Sequence, residues 1–102
     1  MHPAPSLNSM MYHVYLLRSK KNSTFYIGYS NNVVRRLNEH NSGMIGYTKK
    51  FKPWELIYYE SFLSMDDAKR REKSLKYFGK AYSGLKLRIK ESLNKREGAG
   101  CN

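Results

Sequence analysis

The sequence predicts an α+β or mixed α/β layer fold, in which three strands are covered by helices in the order β-β-α-β-α-α. Three runs rich in aromatic and β-branched residues are typical of strands: MYHVYLLRS (11–19), TFYIGYS (24–30) and WELIYYESF (54–62). Between and after these runs, apolar residues recur at three- and four-residue spacing, as in amphipathic helices. The length of 102 residues suits one domain with one modest core.

The first half of the chain predicts a hairpin followed by a helix. The polar turn KKNS (20–23) separates the first two strands, which are therefore expected to be antiparallel. SNNVVRRLNEHNSG then predicts a helix that Ser30 or Asn31 caps and Gly43 ends. A basic loop punctuated by glycine, GMIGYTKKFKP, leads to the third strand, whose start is set by Pro53.

The second half predicts two helices. Ser64 caps the first of them, with Asp67 three residues later in a capping-box pattern, and this helix is expected to stop near Gly79. A last helix is expected over about 82–95, on the apolar residues Leu85, Ile89 and Leu93. The domain is therefore predicted to span 11–95, between a disordered leader (1–10) and a disordered tail (96–102).

The charge of the chain favours a polyanionic partner. The formal net charge is +11, and residues 69–97 contain eleven Lys or Arg against three Glu. Nucleic acid is the commonest such partner, and an anionic membrane surface is the rival. No apolar run approaches the roughly 20 residues of a spanning helix. The single Cys101 excludes an internal disulfide, no Cys/His cluster for metal is present, and we expect a cytoplasmic location.

Two features of the hairpin could carry chemistry. Tyr15 and Tyr26 lie on neighbouring strands, where tyrosines usually pack with the hydroxyl at the rim. Gly28 follows directly after Tyr26-Ile27, and glycine inside a strand often marks either a bulge or a close backbone approach. Neither feature alone separates a functional from a structural explanation.

The predicted first helix carries two further candidates. Arg36 and His40 are four residues apart and share one face, from which Arg35 points away. A guanidinium matches two phosphate oxygens, and a histidine can orient a water or hold a proton. The alternative is a surface arginine and a capping histidine near the helix end.

Glu72 interrupts the apolar stripe of the helix that Ser64 caps. The stripe is formed by Met65, Ala68, Leu75 and Gly79, and a leucine is expected where Glu72 stands. One explanation is a ragged stripe, in which Glu72 pairs with Arg71, Lys76 or Arg36. The other is a carboxylate ligand for Mg²⁺ or Mn²⁺, a hard ion held by one or two carboxylates, waters and phosphate oxygens.

The combination of these segments resembles the GIY-YIG nuclease superfamily, in particular its small standalone bacterial members. The resemblance runs from about Met11 to Leu93. The second half-motif is complete in Tyr26-Ile27-Gly28, whereas the first reads His13-Val14-Tyr15, with His13 in place of the family's glycine. The resemblance implies a compact domain with a three-stranded antiparallel sheet flanked by about three helices.

The resemblance also implies roles for matching residues. Tyr15 and Tyr26 correspond to the motif tyrosines, one of which is a general base or orients the attacking water. Arg36 corresponds to the arginine that stabilises charge on the phosphate. His40 stands where members carry His or Tyr, and Glu72 corresponds to the single metal-binding glutamate. A tyrosine with an ordinary pKa near 10 is a poor base at pH 7, so the metal, His40 or Arg36 is expected to lower that pKa, and His40 could receive the proton.

We therefore expect a divalent-metal-dependent endonuclease that cleaves DNA with weak sequence preference, in repair or recombination. The expected substrate is DNA, branched or nicked, with RNA left open, and the protein is expected to be a monomer that does not bind membranes. Backbone contacts are expected from the basic residues Arg35, Lys49, Lys50, Lys52, Lys69 and Lys76.

Two other function classes stay open at this point. A non-catalytic module that kept the nuclease fold would use the same basic helices and need no metal. An interaction protein would dock its basic face on an acidic partner or a membrane surface. The variant Glu72→Gln separates the first class from the enzyme, because only the enzyme needs the carboxylate for its metal.

Overall fold

The computed structural model describes residues 7–95 as one α+β unit, in which a three-stranded sheet lies between helices. The strands are β1 (Tyr12–Ser19), β2 (Phe25–Ser30) and β3 (Trp54–Phe62). The helices are α1 (Val33–Asn41), α2 (Met65–Tyr77), α3 (Gly79–Arg88) and α4 (Lys90–Asn94), with 3-10 turns at Leu7–Met10 and Lys49–Phe51. Within residues 7–95, no helix combines the length and apolar character needed to cross a bilayer.

The sheet has the order β2-β1-β3 and is antiparallel throughout. This confirms the predicted hairpin and the three predicted strands, each to within one residue at its ends. Tyr15, on the central strand, lies opposite Gly28 on one side and Tyr59 on the other. An irregularity in the pairing of β1 with β3 falls between Leu16 and Leu17.

Alternation along β1 divides the interior into two layers. Val14 and Leu16 point to one face, where α2, α3 and the start of α4 cover them with Ala68, Leu75, Leu85 and Ile89. Tyr15 and Leu17 point to the opposite face and pack with Trp54, Tyr26, Val33, Leu37 and Phe51. The central strand is thus buried on both faces, and the face beneath α1 carries the motif tyrosines.

The helix boundaries differ from prediction in two places. Asn32 caps α1, because its Oδ1 accepts from the Arg35 amide at 3.0 Å, whereas the Ser30 hydroxyl bonds to the backbone of Asn32. The predicted single last helix begins earlier, at Gly79, and is broken at Ile89, which leaves helical geometry (φ −113°, ψ 25°) and is buried in the core. The four-residue spacing of Leu85, Ile89 and Leu93 continues a helix through this point and so gives no sign of the break.

The cap of α2 is confirmed in part. Ser64 Oγ accepts from the backbone amide of Asp66, as an N-cap residue does. Asp67 does not complete a capping box, since its carboxylate instead bonds Arg70 at 2.9 Å on the exposed side of the helix.

Arg18 fastens the end of the described chain to the sheet. Its guanidinium pairs with Glu55 at 2.7 Å and donates to the backbone carbonyls of Leu93 and Lys95 at 2.6 Å each. Lys or Arg side chains commonly bond the last carbonyls of a helix, and here the arginine comes from β1. At the other end, Leu7–Met10 form a 3-10 turn, which differs from the predicted disordered leader; residues 1–6 and the predicted tail 96–102 lie outside the described residues.

Candidate active site

The site is built around a cluster of aromatic rings on the face of the sheet beneath α1. The centroid of the Tyr26 ring lies 6.4 Å from that of Tyr15, 4.8 Å from that of His40 and 6.2 Å from that of Trp54. The fold therefore brings together three of the predicted residues, Tyr15 and Tyr26 from the hairpin and His40 from α1. His40 is fully buried, which excludes the alternative of a capping histidine at the helix surface.

His40 is held through both ring nitrogens. Its Nε2 lies 3.0 Å from Tyr15 Oη, and its Nδ1 lies 2.8 Å from Thr48 Oγ1. The Thr48 hydroxyl donates to the carbonyl of Ile45, so toward His40 it acts as an acceptor and Nδ1 carries the proton. Nε2 is then an acceptor, and the Tyr15 hydroxyl donates to it. The ring is thus fixed in the tautomer that can accept a proton from Tyr15.

The sequence analysis missed the residues that hold Thr48 in place. Trp54 Nε1 donates to the Thr48 carbonyl at 3.0 Å, and the Asn41 side chain bonds both the amide and the carbonyl of Trp54. These contacts attach the loop after α1 to β3 and keep Thr48 buried beside His40. No local pattern signals them, since a threonine and an asparagine are both ordinary in such loops.

Burial sets the ionisation of the Tyr15–His40 pair in the free protein. Burial raises the pKa of Tyr15 to about 12, and this outweighs the hydrogen bond from Arg36, which lowers it. Burial also lowers the pKa of His40 to about 4, helped by the positive charge of Arg36. As predicted, Arg36 lowers the pKa of Tyr15, but burial outweighs this effect, so in the free protein that pKa lies above the ordinary value near 10. The shared proton resides on Tyr15.

The pKa of His40 predicts a dependence of stability on pH. In the unfolded chain a histidine has a pKa near 6.5, so between about pH 6.5 and 4 the unfolded state binds a proton that folded His40 does not. Stability therefore falls as the pH drops through this window, by up to about 3 kcal/mol. Urea unfolding at pH 7 and 4.5 measures the loss. His40→Gln should remove this part of it, and an equal loss in both proteins would contradict the assignment.

Gly28 is explained by the Tyr15 side chain that lies over it. A Cβ at position 28 would stand 2.5 Å from Tyr15 Oη and 2.6 Å from its Cζ, inside van der Waals contact. The two residues face each other across β1 and β2, so the ring crosses the neighbouring strand to reach His40. The sequence predicted a bulge or a close backbone approach at this position, whereas the group that approaches Gly28 is the side chain of Tyr15.

We expect Gly28→Ala to displace Tyr15 and destabilise the protein. The added methyl forces the ring away from His40, and overpacking of this kind costs about 1–3 kcal/mol. The midpoint of thermal unfolding should drop by several degrees. Gly46→Ala is the matched control, because nothing lies within 4 Å of a Cβ there. Equal melting temperatures for the two variants would show that Tyr15 does not need the space above Gly28.

Arg36 lies at the partly exposed edge of the cluster. Its Nη1 pairs with Glu39 at 3.0 Å, and its guanidinium also interacts with the Tyr15 hydroxyl. Burial lowers the pKa of Arg36, but the hydrogen bonds to Glu39 and Tyr15 outweigh this, so the pKa is raised overall. Arg35, its neighbour, points outward and contacts Asn31 and Glu39. Arg36 is therefore a cation held beside Tyr15, and its predicted contact with a phosphate stays a prediction.

Glu72 reaches the same cluster from α2. Its negative charge acts on Tyr15, and its carboxylate pairs with Lys76 at 3.3 Å, while Lys76 Nζ lies 5.8 Å from the centre of the Tyr26 ring. Ala68 and Leu75, on the same helix, are buried in the core. Glu72 thus leaves the apolar stripe at the edge of the sheet and makes one of the three predicted ion pairs, that with Lys76.

The protein atoms around Glu72 could hold a hard divalent ion only if water and phosphate oxygens completed its coordination. Among residues 7–95, no three His, Cys, Asp or Glu side chains come together to form a metal cage. The single carboxylate of Glu72 supplies oxygen donors, which Mg²⁺ and Mn²⁺ prefer, and leaves the other positions to water and phosphate oxygens. The partner Lys76 is on the surface, and such a pair is worth about 1 kcal/mol or less, so it is readily exchanged.

The remaining basic candidates are exposed around this cluster. Lys49, Lys50 and Lys52 lie on and beside the 3-10 turn that follows Thr48, and Lys69 lies one turn before Glu72 on α2. Because positions 69, 72 and 76 are three and four apart, the two lysines flank the carboxylate on one helix face. Their contact with a substrate stays a prediction.

Comparison with known families shows which protein family the chain belongs to. Residues 11–85 match the family model described as the GIY-YIG catalytic domain. The chain belongs to the GIY-YIG family. Membership places the chain in a nuclease family, whose nucleases generally depend on a divalent metal and whose domain indicates nucleic acid as the partner. The departure from the motif at His13 is accommodated locally, because His13 is buried against Ser61 Oγ (2.6 Å) and the ring of Tyr59.

Named relatives support the same affiliation. UPF0213 protein SH2523 of Staphylococcus haemolyticus is 41% identical over 70 residues, which cover 68% of this chain and 84% of the relative. UPF0213 protein YazA of Bacillus subtilis is 39% identical over 85 residues, covering 81% and 82%. The solution NMR structure of UPF0213 protein BH0048 from Bacillus halodurans aligns with a TM-score of 0.52 at 31% identity, over 84% of this chain and 96% of that one. This GIY-YIG chain is thus similar in sequence and fold to small bacterial members, whose names specify no reaction.

Proposed function

We propose that this GIY-YIG protein is a divalent-metal-dependent endonuclease that hydrolyses DNA phosphodiesters with weak sequence preference. One observation carries the proposal: Tyr15 Oη lies 3.0 Å from Nε2 of a buried His40, with Arg36 beside it and the charge of Glu72 acting on it. Any buried tyrosine needs a hydrogen-bond partner, and the partner here is an imidazole, which can also take up the proton. The arrangement supports hydrolysis, in which a water must be deprotonated next to a phosphate.

The division of roles between the two tyrosines follows from their contacts. Tyr15 is the general base, because its hydroxyl is bonded to a group able to take the proton. Tyr26 packs on His40 and carries Lys76 near its ring, so it positions the pair and the substrate. The sequence left this choice open, and the hydrogen bond at Nε2 supports Tyr15.

The chemical steps balance within these residues. Tyr15 gives its proton to His40 Nε2 and removes one from the attacking water, whose oxygen bonds to phosphorus as the P–O bond breaks. The leaving oxygen keeps the electron pair of that bond and takes a proton from solvent, and His40 releases its proton to solvent. Arg36 stabilises the added charge on the phosphate oxygens. Glu72 would hold Mg²⁺ or Mn²⁺, which when bound lowers the pKa of nearby hydroxyls and neutralises charge on the phosphate. This assistance is needed, because the pKa of Tyr15 is about 12 in the free protein.

The positive surface supports a substrate recognised through its backbone. Arg35, Lys49, Lys50, Lys52, Lys69 and Lys76 are all available near the cluster, and phosphate contacts of this kind position a strand without reading its sequence. Branched or nicked DNA, a role in repair or recombination, a monomeric state and a cytoplasmic location belong to this proposal.

A panel of end-labelled DNA tests the proposed function. Intact duplex, nicked duplex and flapped duplex are incubated with the protein and Mg²⁺, Mn²⁺ or EDTA, and products are separated on denaturing gels. We expect internal cleavage with either ion and none with EDTA. Cleavage that persists in EDTA would contradict a metal-dependent mechanism, whereas binding without cleavage of any substrate would favour the binding module.

The binding module is the second candidate, and the ion pair between Glu72 and Lys76 favours it. In that pair the carboxylate is already neutralised by a lysine of the same helix, as in a protein that has no metal to hold. The two candidates predict the same affinity for DNA and differ only in turnover.

A further inference from the structure

Three aromatic side chains stand in water around the site instead of in the core. Tyr47, Tyr77 and Phe78 are 63%, 72% and 62% exposed, and we call them the aromatic rim. Single exposed apolar residues are common on protein surfaces. Here, however, each rim residue lies within three positions of an exposed lysine, and two of them are consecutive.

Tyr47 is joined to the site through the loop that holds His40. The next residue, Thr48, accepts the hydrogen bond from His40 Nδ1. The Tyr47 ring lies 6.0 Å from that of Phe51, which in turn lies 6.4 Å from that of Trp54. Lys50 Nζ lies 5.9 Å from the centre of the Tyr47 ring. Tyr47 therefore presents an exposed ring and a cation on the loop side of the cluster.

Tyr77 and Phe78 are joined to the site through Lys76. Lys76 directly precedes them, pairs with Glu72 and lies near the Tyr26 ring. Phe78 is extended (φ −118°, ψ 106°) and separates α2 from α3, so the two rings stand at a corner between helices. The exposed Lys73 and Lys80 lie on either side of this corner. The second part of the aromatic rim is thus also basic and also continuous with the site.

We propose that the aromatic rim binds the unpaired bases of a DNA strand on both sides of the scissile phosphate. Exposed aromatic rings interleaved with lysines bind single strands, because the rings stack on bases while the lysines track phosphates. In a duplex the faces of the bases are already stacked on each other, so the rings add little there. The inference rests on the proposed nuclease function for the place of cleavage, and it names the substrate as DNA with a single-stranded segment.

The charge around the rim argues against its use as a contact between two copies of the chain. The chain carries a net charge of +11, and rim residues sit among Lys50, Lys76 and Lys80. Bringing two such surfaces together brings like charges into contact, which is unfavourable. A polyanionic strand satisfies the rings and the lysines together.

The test measures binding separately from cleavage. Protein carrying Glu72→Gln is titrated without metal into a fluorescein-labelled mixed-sequence 20-mer and into the duplex of the same sequence, and anisotropy reports Kd. We expect the further changes Tyr77→Ala and Phe78→Ala together to weaken single-strand binding about tenfold, within the range for the loss of base stacking. Duplex binding should change less than twofold. The fluorescence of a 2-aminopurine in the single strand should be quenched by stacking on the rim, and the Tyr77→Ala and Phe78→Ala changes should abolish that quenching.

Two controls sharpen this test. Leu87→Ala removes a side chain of α3 that is as exposed as Tyr77 but not aromatic, and it should leave both affinities unchanged. Tyr77→Phe keeps the ring and should keep single-strand binding. Equal weakening on duplex and single strand, or no change on either, would overturn the proposal. So would a shift in sedimentation from dimer to monomer on Tyr77→Ala, which would make the rim an interface between copies.

The outcomes distinguish this inference from the proposed nuclease function. If wild-type protein cleaves DNA but the rim variants bind single strands normally, the nuclease function is supported and single-strand binding by the aromatic rim is rejected. If the rim variants lose single-strand binding but wild-type protein cleaves nothing, the aromatic rim binds single strands in a non-catalytic binding module.

Discussion

Replacing Glu72 by glutamine is expected to abolish cleavage while DNA binding stays intact or becomes tighter. The amide keeps the size of the side chain but loses the charge that would hold the metal, and metal assistance is worth several kcal/mol, or about 10²- to 10³-fold in rate. Binding does not suffer, because one negative charge next to the phosphates is removed. The surface pair of Glu72 with Lys76 contributes little stability, so the variant should fold.

The control for this variant is Glu91→Gln, which removes the same charge from the exposed surface of α4. It should cleave at the wild-type rate. Initial cleavage rates under Mg²⁺ and Kd from anisotropy, measured on the same protein preparations, provide the comparison. Cleavage that survives Glu72→Gln would remove Glu72 from the metal site.

The second large effect is expected for Tyr15→Phe. General base catalysis contributes about 10²- to 10⁴-fold, and the phenylalanine can neither take a proton from water nor pass one to His40. Tyr26→Phe should lose less, about tenfold or below on the scale of one hydrogen bond to the substrate, because the Tyr26 ring contacts His40 by packing. Single-turnover rates with saturating protein separate the two tyrosines, and equal losses would contradict the assignment of Tyr15 as base.

A double variant checks that Tyr15 and His40 act together. Once Tyr15→Phe has removed the proton donor, the further change His40→Gln should cost little additional rate, whereas His40→Gln alone should cost much. Additive losses would mean that the two residues contribute independently. The free energy of unfolding must be measured alongside. Tyr15→Phe leaves buried His40 Nε2 without its donor, which should lower that free energy by about 1–3 kcal/mol.

Much of the fold was predictable because local patterns agree with it. The three strands are dense in aromatic and β-branched residues, and their predicted and observed ends agree to within one residue. Ser64 is a cap by chemistry alone. The break at Ile89 was not predictable, because the spacing of Leu85, Ile89 and Leu93 continues a helix. The break is visible only in the backbone angles of Ile89 in the folded chain.

The site was predictable as a set of residues but not as an arrangement. The resemblance pointed to Tyr15, Arg36 and Glu72, which come from β1, α1 and α2 and meet only in the folded chain. The direction of the pKa of Tyr15 depends on how deeply the sheet and α1 bury it, which no sequence pattern reports. Thr48, which sets the tautomer of His40, lies in a loop whose sequence signals only charge.

Nicking of supercoiled plasmid tests directly whether this GIY-YIG protein is a metal-dependent nuclease. Wild-type and Glu72→Gln proteins, purified in parallel, are incubated with plasmid and Mg²⁺ or Mn²⁺, and with EDTA. We expect the wild-type protein to nick the plasmid only with metal and the Glu72→Gln protein not to nick it. Equal nicking by both proteins, or plasmid binding by the wild-type protein without any nicking, would contradict this expectation.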